Sequence, residues 1–164
     1  MPLDDTRPSE ITLHVGMPYL DFIREALPMT ERHWNEVGSH RDVLKFRPDH
    51  MKYIAASNAG QLVIITARDG GKLVGYLFLV VMEHLRDRER RVMGEDIFYV
   101  DPAYRRRLIG PKMRKMADDV AKRAGVTVSR RTIKARRYIT RGIPATLPGG
   151  YEISEIIYDK VFAP

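Results

Sequence analysis

The sequence predicts a mixed α/β or α+β domain built on one sheet. Three observations predict it. Two long apolar runs, Gln61–Arg68 (QLVIITAR) and Lys72–Met82 (KLVGYLFLVVM), flank Asp69-Gly70-Gly71 and read as a hairpin. A third run, Asp96–Val100 (DIFYV), leads through a turn and an amphipathic helix to another strand, a βαβ-like centre. The chain has 164 residues, 44% of them apolar, enough for one domain with a core of its own.

Residues 1–10 are polar and read as a tail, which leaves 11–164 as a single domain. Ile11-Thr12-Leu13-His14-Val15 alternates and predicts a short first strand. From Tyr19 to about Ser39, Leu20, Ile23, Leu27, Trp34 and Val37 suit a helix. Pro28 interrupts that pattern and Thr30 looks like a fresh N-cap, so two helical pieces are predicted. Pro48-Asp49-His50-Met51 opens another helix, which ends near Asn58-Ala59-Gly60. Beyond the hairpin, residues 84–91 (HLRDRERR) are charged and read as a loop or a frayed strand end. Asp101-Pro102 stops the third strand, and a basic turn follows. Pro111 suits a first helical position. Residues 111–124 then place Met113, Met116, Ala117 and Val120 on one face, and Gly125 ends the helix. Val126–Ala135 is a strand, residues 136–150 are broken by Pro and Gly, and Tyr151–Phe162 supplies the closing strand material.

Several classes are excluded. The chain has no cysteine, so disulfides, thiolate metal sites and a Cys nucleophile are ruled out, as suits a reducing cytoplasm. No apolar run approaches ~18 residues, which argues against a spanning helix and a membrane partner. The start, MPLDDTRPSE, is acidic and polar, unlike a secretory signal. The histidines show no His-Glu-x-x-His spacing, so no metal is expected. The formal charge is +7 but uneven: residues 105–141 hold 14 Lys or Arg against two acids, and the rest is net acidic. Such a block suits an anionic partner, either nucleic acid or the phosphates of a small cofactor, although a solvated basic face has the same composition. Recognised nucleic-acid motifs are absent, and Tyr138 is the only aromatic residue inside the block.

The chemistry is concentrated in Val100-Asp101-Pro102-Ala103-Tyr104-Arg105-Arg106-Arg107-Leu108-Ile109-Gly110-Pro111-Lys112-Met113. A strand ends, a Pro-containing turn follows, and a basic Gly-containing loop opens a helix. Helix-start amides lack partners and the helix dipole favours negative charge there, so this is an anion cradle. Neighbouring arginines add charge-assisted hydrogen bonds.

This stretch resembles the signature of the GNAT family of N-acetyltransferases, Val-x-Pro-x-x-Arg-x-x-Gly-x-Gly/Ala. Val100, Pro102, Arg105, Ile109 and Gly110 match, and Leu108 replaces the first glycine. Further likeness is to small GNAT proteins carried by bacteriophages. It rests on Glu31-x-His33-Trp34-x-Glu36, Ala67-Arg68-Asp69, Val74-Gly75-Tyr76, His84-Leu85, Lys134, Gly150-Tyr151 and Tyr158-x-Lys160. The resemblance implies the GNAT-like acyl-CoA N-acyltransferase fold, a mostly antiparallel central sheet flanked by helices. It also implies an enzyme that uses acetyl-CoA to acetylate an amine: a protein lysine, an N-terminus or a small amine. A phage-encoded copy would work in the host cytoplasm, with a host protein as one candidate acceptor and a homodimer left open. A nucleic-acid-binding module and a GNAT that binds CoA without catalysis are the alternatives.

The resemblance also assigns residues. Phe98, Tyr99 and Val100 would meet the pantetheine arm on a strand that splays from its neighbour. Arg105, Arg106, Arg107, Leu108, Ile109 and Gly110 would hold the pyrophosphate, with Lys112 near the adenosine phosphate. The family often places a catalytic glutamate where this chain has Gly94. Asp96, two residues on, shares that side of a strand and is the leading base candidate; Glu95 faces the other way and is second. An ion pair with a nearby arginine is the alternative role for Asp96. The family's usual acid, a tyrosine, is missing at Thr146, and Tyr138 is the substitute candidate. Glu31, His33 and Glu36 are candidates for the acceptor wall.

Overall fold

The computed structural model describes residues 10–38, 40–134, 146–147, 151–152 and 155–162. In chain order these form β1 (Ile11–Val15), α1 (Tyr19–Val37), α2 (His50–Asn58), β2 (Leu62–Asp69), β3 (Lys72–His84), β4 (Asp87–Val100), a 3-10 helix (Pro102–Arg107), α3 (Ile109–Arg123), β5 (Val126–Lys134), β6 (Thr146–Leu147), β7 (Tyr151–Glu152) and β8 (Glu155–Val161). One six-stranded sheet runs β1-β2-β3-β4-β5-β8, and β6 pairs with β7. Within the large sheet, β4 and β5 are parallel and every other neighbouring pair is antiparallel. A parallel pair needs a crossover, and α3 provides it.

Two cores sandwich the sheet. On one face α3 buries Ile109, Met113, Ala117, Val120 and Ala121 against Ile65, Ala67, Leu77, Leu79, Met93 and Val126. On the other, α1 lays Tyr19, Phe22, Ala26 and Met29 onto Leu62, Ile64, Tyr76, Phe78 and Tyr99. Their spacing is that of one helical stripe. Central β3 is buried on both faces from Leu73 to Leu79, as its unbroken apolar run requires. Among the described residues no helix is long and apolar enough to cross a membrane.

Three sequence expectations are corrected. α1 is one helix, not two, with Pro28 inside it. A proline in a helix interior costs about 3 kcal/mol. Burial of the α1 stripe on both sides of Pro28 offsets it, since each large side chain fully buried contributes roughly 1.5–3 kcal/mol. Thr30 does not cap a new helix; its hydroxyl donates back to the Leu27 carbonyl at 2.8 Å. The charged segment 84–91 is neither loop nor frayed end. A two-residue turn at Leu85-Arg86 leads into β4, which starts at Asp87. The end of this hairpin stands in solvent, so charged side chains cost nothing there, and Glu83 opposite Arg91 is a favourable cross-strand pair. Finally, the basic turn after Pro102 is a 3-10 helix whose first amides are capped by Asp101, with Ala103 N–H donating to Oδ1 at 3.0 Å.

Candidate active site

The ladder between β4 and β5 runs from Arg91 opposite Val126 to Gly94 opposite Arg130 and stops there. β4 continues to Val100 and β5 to Lys134, so the strands part. Along that edge, residues 95–100 have no ladder partner on β5, and Phe98, Tyr99 and Val100 lie within this stretch. Across the other edge, Ile97 opposes Phe78 while Glu95 opposes Leu79. Asp96 is therefore the extra residue of a β-bulge. The bulge reverses the alternation of β4. Ile97 and Tyr99 join the core under α1 and α2, whereas Phe98 and Val100 join the core under α3.

Beyond Val100 the chain turns through the 3-10 helix into α3. Leu108 joins them in the left-handed region, at φ 56° and ψ 23°. A helical residue followed by a left-handed one curls successive amides into an anion-binding concavity. Ile109 and Gly110 are the first residues of α3, where amides have no partner within the helix. Arg105 and Arg107 build this loop. Arg105 donates through Nε to the Val100 carbonyl at 2.9 Å and reaches Glu36 of α1 at 2.6 Å. Arg107 pairs with Asp69 at 3.3 Å and lies over the Tyr104 ring. Arg106 and Lys112 are exposed. A Cβ on Gly110 would stand 3.2 Å from Cζ of Phe98, so the start of α3 packs closely on the ring that β4 presents.

Leu108 stands where the family pattern has glycine, and its backbone supplies the reason for that glycine. A left-handed residue other than glycine costs roughly 1–2 kcal/mol. The side chain is 66% exposed, so its removal takes little from the core. Leu108→Gly should therefore raise stability by up to about 1 kcal/mol, after glycine's greater chain entropy is subtracted. Denaturant unfolding checks this; a loss of more than about 1 kcal/mol would mean that Leu108 packs beneath the loop.

Glu95 and Asp96 point to opposite faces, as alternation predicts. The Glu95 side chain is only 6% exposed and pairs with Arg114 of α3 at 3.0 Å. Arg114 in turn covers the Phe98 ring at 4.6 Å. Glu95 thus ties α3 to β4. Asp96 accepts a hydrogen bond at Oδ2 from the Tyr53 hydroxyl of α2 at 3.0 Å, and no arginine among the described residues pairs with it. Asp96 is open to solvent on one side. Burial of the other side raises its carboxyl above the ordinary value, and the Tyr53 bond opposes that rise. The Tyr53 hydroxyl is itself pushed far up, by burial and by the Asp96 charge, and stays protonated.

His33 joins the wall beneath α1. Its Nδ1 lies 2.9 Å from the Tyr76 hydroxyl, and its ring stacks on Tyr99 at 4.7 Å. Glu36 is engaged with Arg105, and Glu31 is exposed. Arg32, Glu36, Tyr99, Asp101, Pro102 and Ala103 line an open cleft of about 410 Å³ beside the loop. Tyr138 lies outside the described residues. Nothing in the sequence singles out Tyr53, which meets Asp96 only through the fold. Tyr76 stands out in the sequence only as part of a likeness, and its hydroxyl partner His33 is 43 residues away. Among the described residues no three His, Asp or Glu side chains gather as metal ligands.

The model of the acetyltransferase (GNAT) family matches residues 22–138. No curated protein matches the chain significantly in sequence. Among solved structures, a GNAT acetyltransferase from Brucella melitensis in complex with acetyl-CoA is 16% identical, with a TM-score of 0.64 over 95% of this chain and 90% of its own. A GNAT acetyltransferase from Streptococcus pneumoniae is 15% identical, with a TM-score of 0.64 over 93% of this chain and 100% of its own. An aminoglycoside acetyltransferase from an uncultured soil metagenomic sample, in complex with sisomicin, is 16% identical, with a TM-score of 0.59 over 90% and 97%.

Proposed function

The chain belongs to the acetyltransferase (GNAT) family, and from that premise we propose that it is an acetyl-CoA-dependent N-acetyltransferase acting on an amine by direct transfer. The observation that carries this reading is the parting of β4 from β5 beside a left-handed turn into α3. That arrangement offers unpaired strand backbone next to an anion cradle. The residues fit acetyl-CoA: amides around Leu108, Ile109 and Gly110 for the pyrophosphate, Arg106 and Lys112 for further phosphate charge, and the free edge of β4 near Phe98 for the extended arm. From Val100 back to Asp96 the strand spans roughly 13 Å. Phosphates held at the loop therefore suit a reacting group near Asp96 only on a long arm.

Acetyl-CoA, when bound, supplies an acetyl thioester. The chain's part is orientation, a polarising backbone N–H on the open edge of β4, and a base. An amine must lose a proton as it forms the new C–N bond, and Asp96 accepts that proton while the C–S bond breaks. The departing thiolate takes a proton from water or from Tyr138. No cysteine is present to carry the acetyl group, so transfer is direct. The acceptor is a protein lysine, an N-terminus or a small amine.

Acetyl-CoA binds only the folded chain on this reading, so it should raise the melting temperature. At a hundredfold excess over Kd the gain is about 2.7 kcal/mol, or roughly 5–10 °C for a chain of this size. A thermal-shift titration checks it. No shift at millimolar acetyl-CoA would remove the reading.

A further inference from the structure

We propose that Tyr53 is a positioning residue for the Asp96 base: its hydroxyl occupies Oδ2 of the carboxylate and leaves Oδ1 as the atom that takes the amine proton. The inference rests on the proposed acetyl transfer and deepens it.

The geometry is built rather than incidental. Asp96 is the extra residue of the β4 bulge, and its side chain faces α2. The Tyr53 ring is held on two sides. It stacks on Tyr19 at 4.8 Å and meets the edge of Phe78 at 5.8 Å. Behind it, the Tyr19 hydroxyl lies 2.8 Å from Nδ1 of His50. The first turn of α2 is capped by Asp49, whose Oδ1 accepts from the Lys52 amide at 3.1 Å. A ring fixed by this packing presents its hydroxyl in one direction, so little freedom is lost when the bond to Asp96 forms.

A carboxylate with two equivalent oxygens can rotate, and a misdirected lone pair is a poor base. A hydrogen bond to one oxygen removes that freedom and stabilises the charged form. Other groups near Asp96 do not take over this role. Glu95 points to α3 and pairs with Arg114. Across the sheet stand the apolar Phe78 and Leu79. On β5 the nearest charged residue by register is Arg130, opposite Gly94, and its guanidinium pairs with Asp159. His50 reaches Tyr19 and not Asp96. Tyr53 is thus the group whose removal changes the Asp96 environment selectively.

Tyr53→Phe keeps the ring and its stacking, so the fold should survive, and a wild-type melting temperature checks that. The Asp96 carboxyl is then followed directly by carbon NMR titration of labelled protein, which needs no acceptor. Loss of one charged-acceptor hydrogen bond should move the Asp96 midpoint up by about one pH unit. The acidic limb of kcat/KM for spermidine or a lysine peptide should move by the same amount, with KM for acetyl-CoA unchanged. An unmoved Asp96 midpoint overturns the proposal, and so does a moved midpoint with an unmoved limb. If the limb also survives Asp96→Asn, the assignment of the base fails with it, whereas a limb lost in Asp96→Asn but unmoved in Tyr53→Phe condemns Tyr53 alone.

Discussion

Gly110→Glu should abolish measurable acetyl-CoA binding, weakening it by at least a hundredfold. Two effects combine. The new Cβ meets the Phe98 ring at 3.2 Å, so the ring must give by a few tenths of an ångström. The carboxylate beyond it competes for the same helix-start amides that the phosphates need. At about 4 Å, two like charges near a protein surface repel by roughly 4 kcal/mol, and each 1.4 kcal/mol is tenfold in Kd. The fold should tolerate the change, because an acidic residue in the first turn of a helix is stabilising. Gly110→Ala separates the two effects. It adds the Cβ without the charge and should weaken binding by less than tenfold. Titration calorimetry on both variants gives the answer, and wild-type affinity in the Glu variant would mean that the phosphates lie elsewhere.

The same loop shows how far the sequence could be read. Asp69-Gly70-Gly71 marks the hairpin because such a turn needs positive φ, and Gly70 and Gly71 adopt it at 53° and 90°. Of the α3 stripe, Met113, Ala117 and Val120 are buried as the spacing predicts, and Met116 is half-buried against the same core. The loop motif lies between the end of β4 and the start of α3, with a 3-10 helix where the sequence predicts a turn. What the pattern could not show is which partner each polar side chain finds. Arg105 and Arg107 look like phosphate ligands in sequence, yet Arg105 bonds to Glu36, 69 positions away, and Arg107 to Asp69, 38 positions away. The β4 bulge leaves no local mark either, because it depends on how β3 and β4 pair. Nor does the sequence show that the Asp96 carboxylate meets Tyr53, a contact that spans 43 residues. Pro28 misled for a related reason: local propensity predicts a break, and tertiary burial overrides it.

Asp96→Asn should lower kcat by about 10²- to 10⁴-fold, the range a positioned general base contributes. KM for acetyl-CoA should hardly move, since Asp96 acts on the amine and lies on the opposite face of β4 from the start of α3, which packs on Phe98. The substitution is clean in structural terms. Asn is nearly the same size and can still accept the Tyr53 hydroxyl. Its effect on stability follows from the direction of the Asp96 shift. Burial raises the carboxyl in the folded state. A group raised in this way contributes stability below its unfolded value and loses it as pH rises through the folded one. At neutral pH the ionised Asp96 therefore adds nothing to folding, and the neutral Asn variant should melt at or above the wild-type temperature. The pH–rate profile makes the role specific. Wild type should show an acidic limb above the ordinary carboxylate range, because only the ionised form accepts a proton. The Asn variant should lack that limb and keep a low, flatter rate from water acting as base. Retention of both the limb and the full kcat in the Asn variant would take Asp96 out of the mechanism.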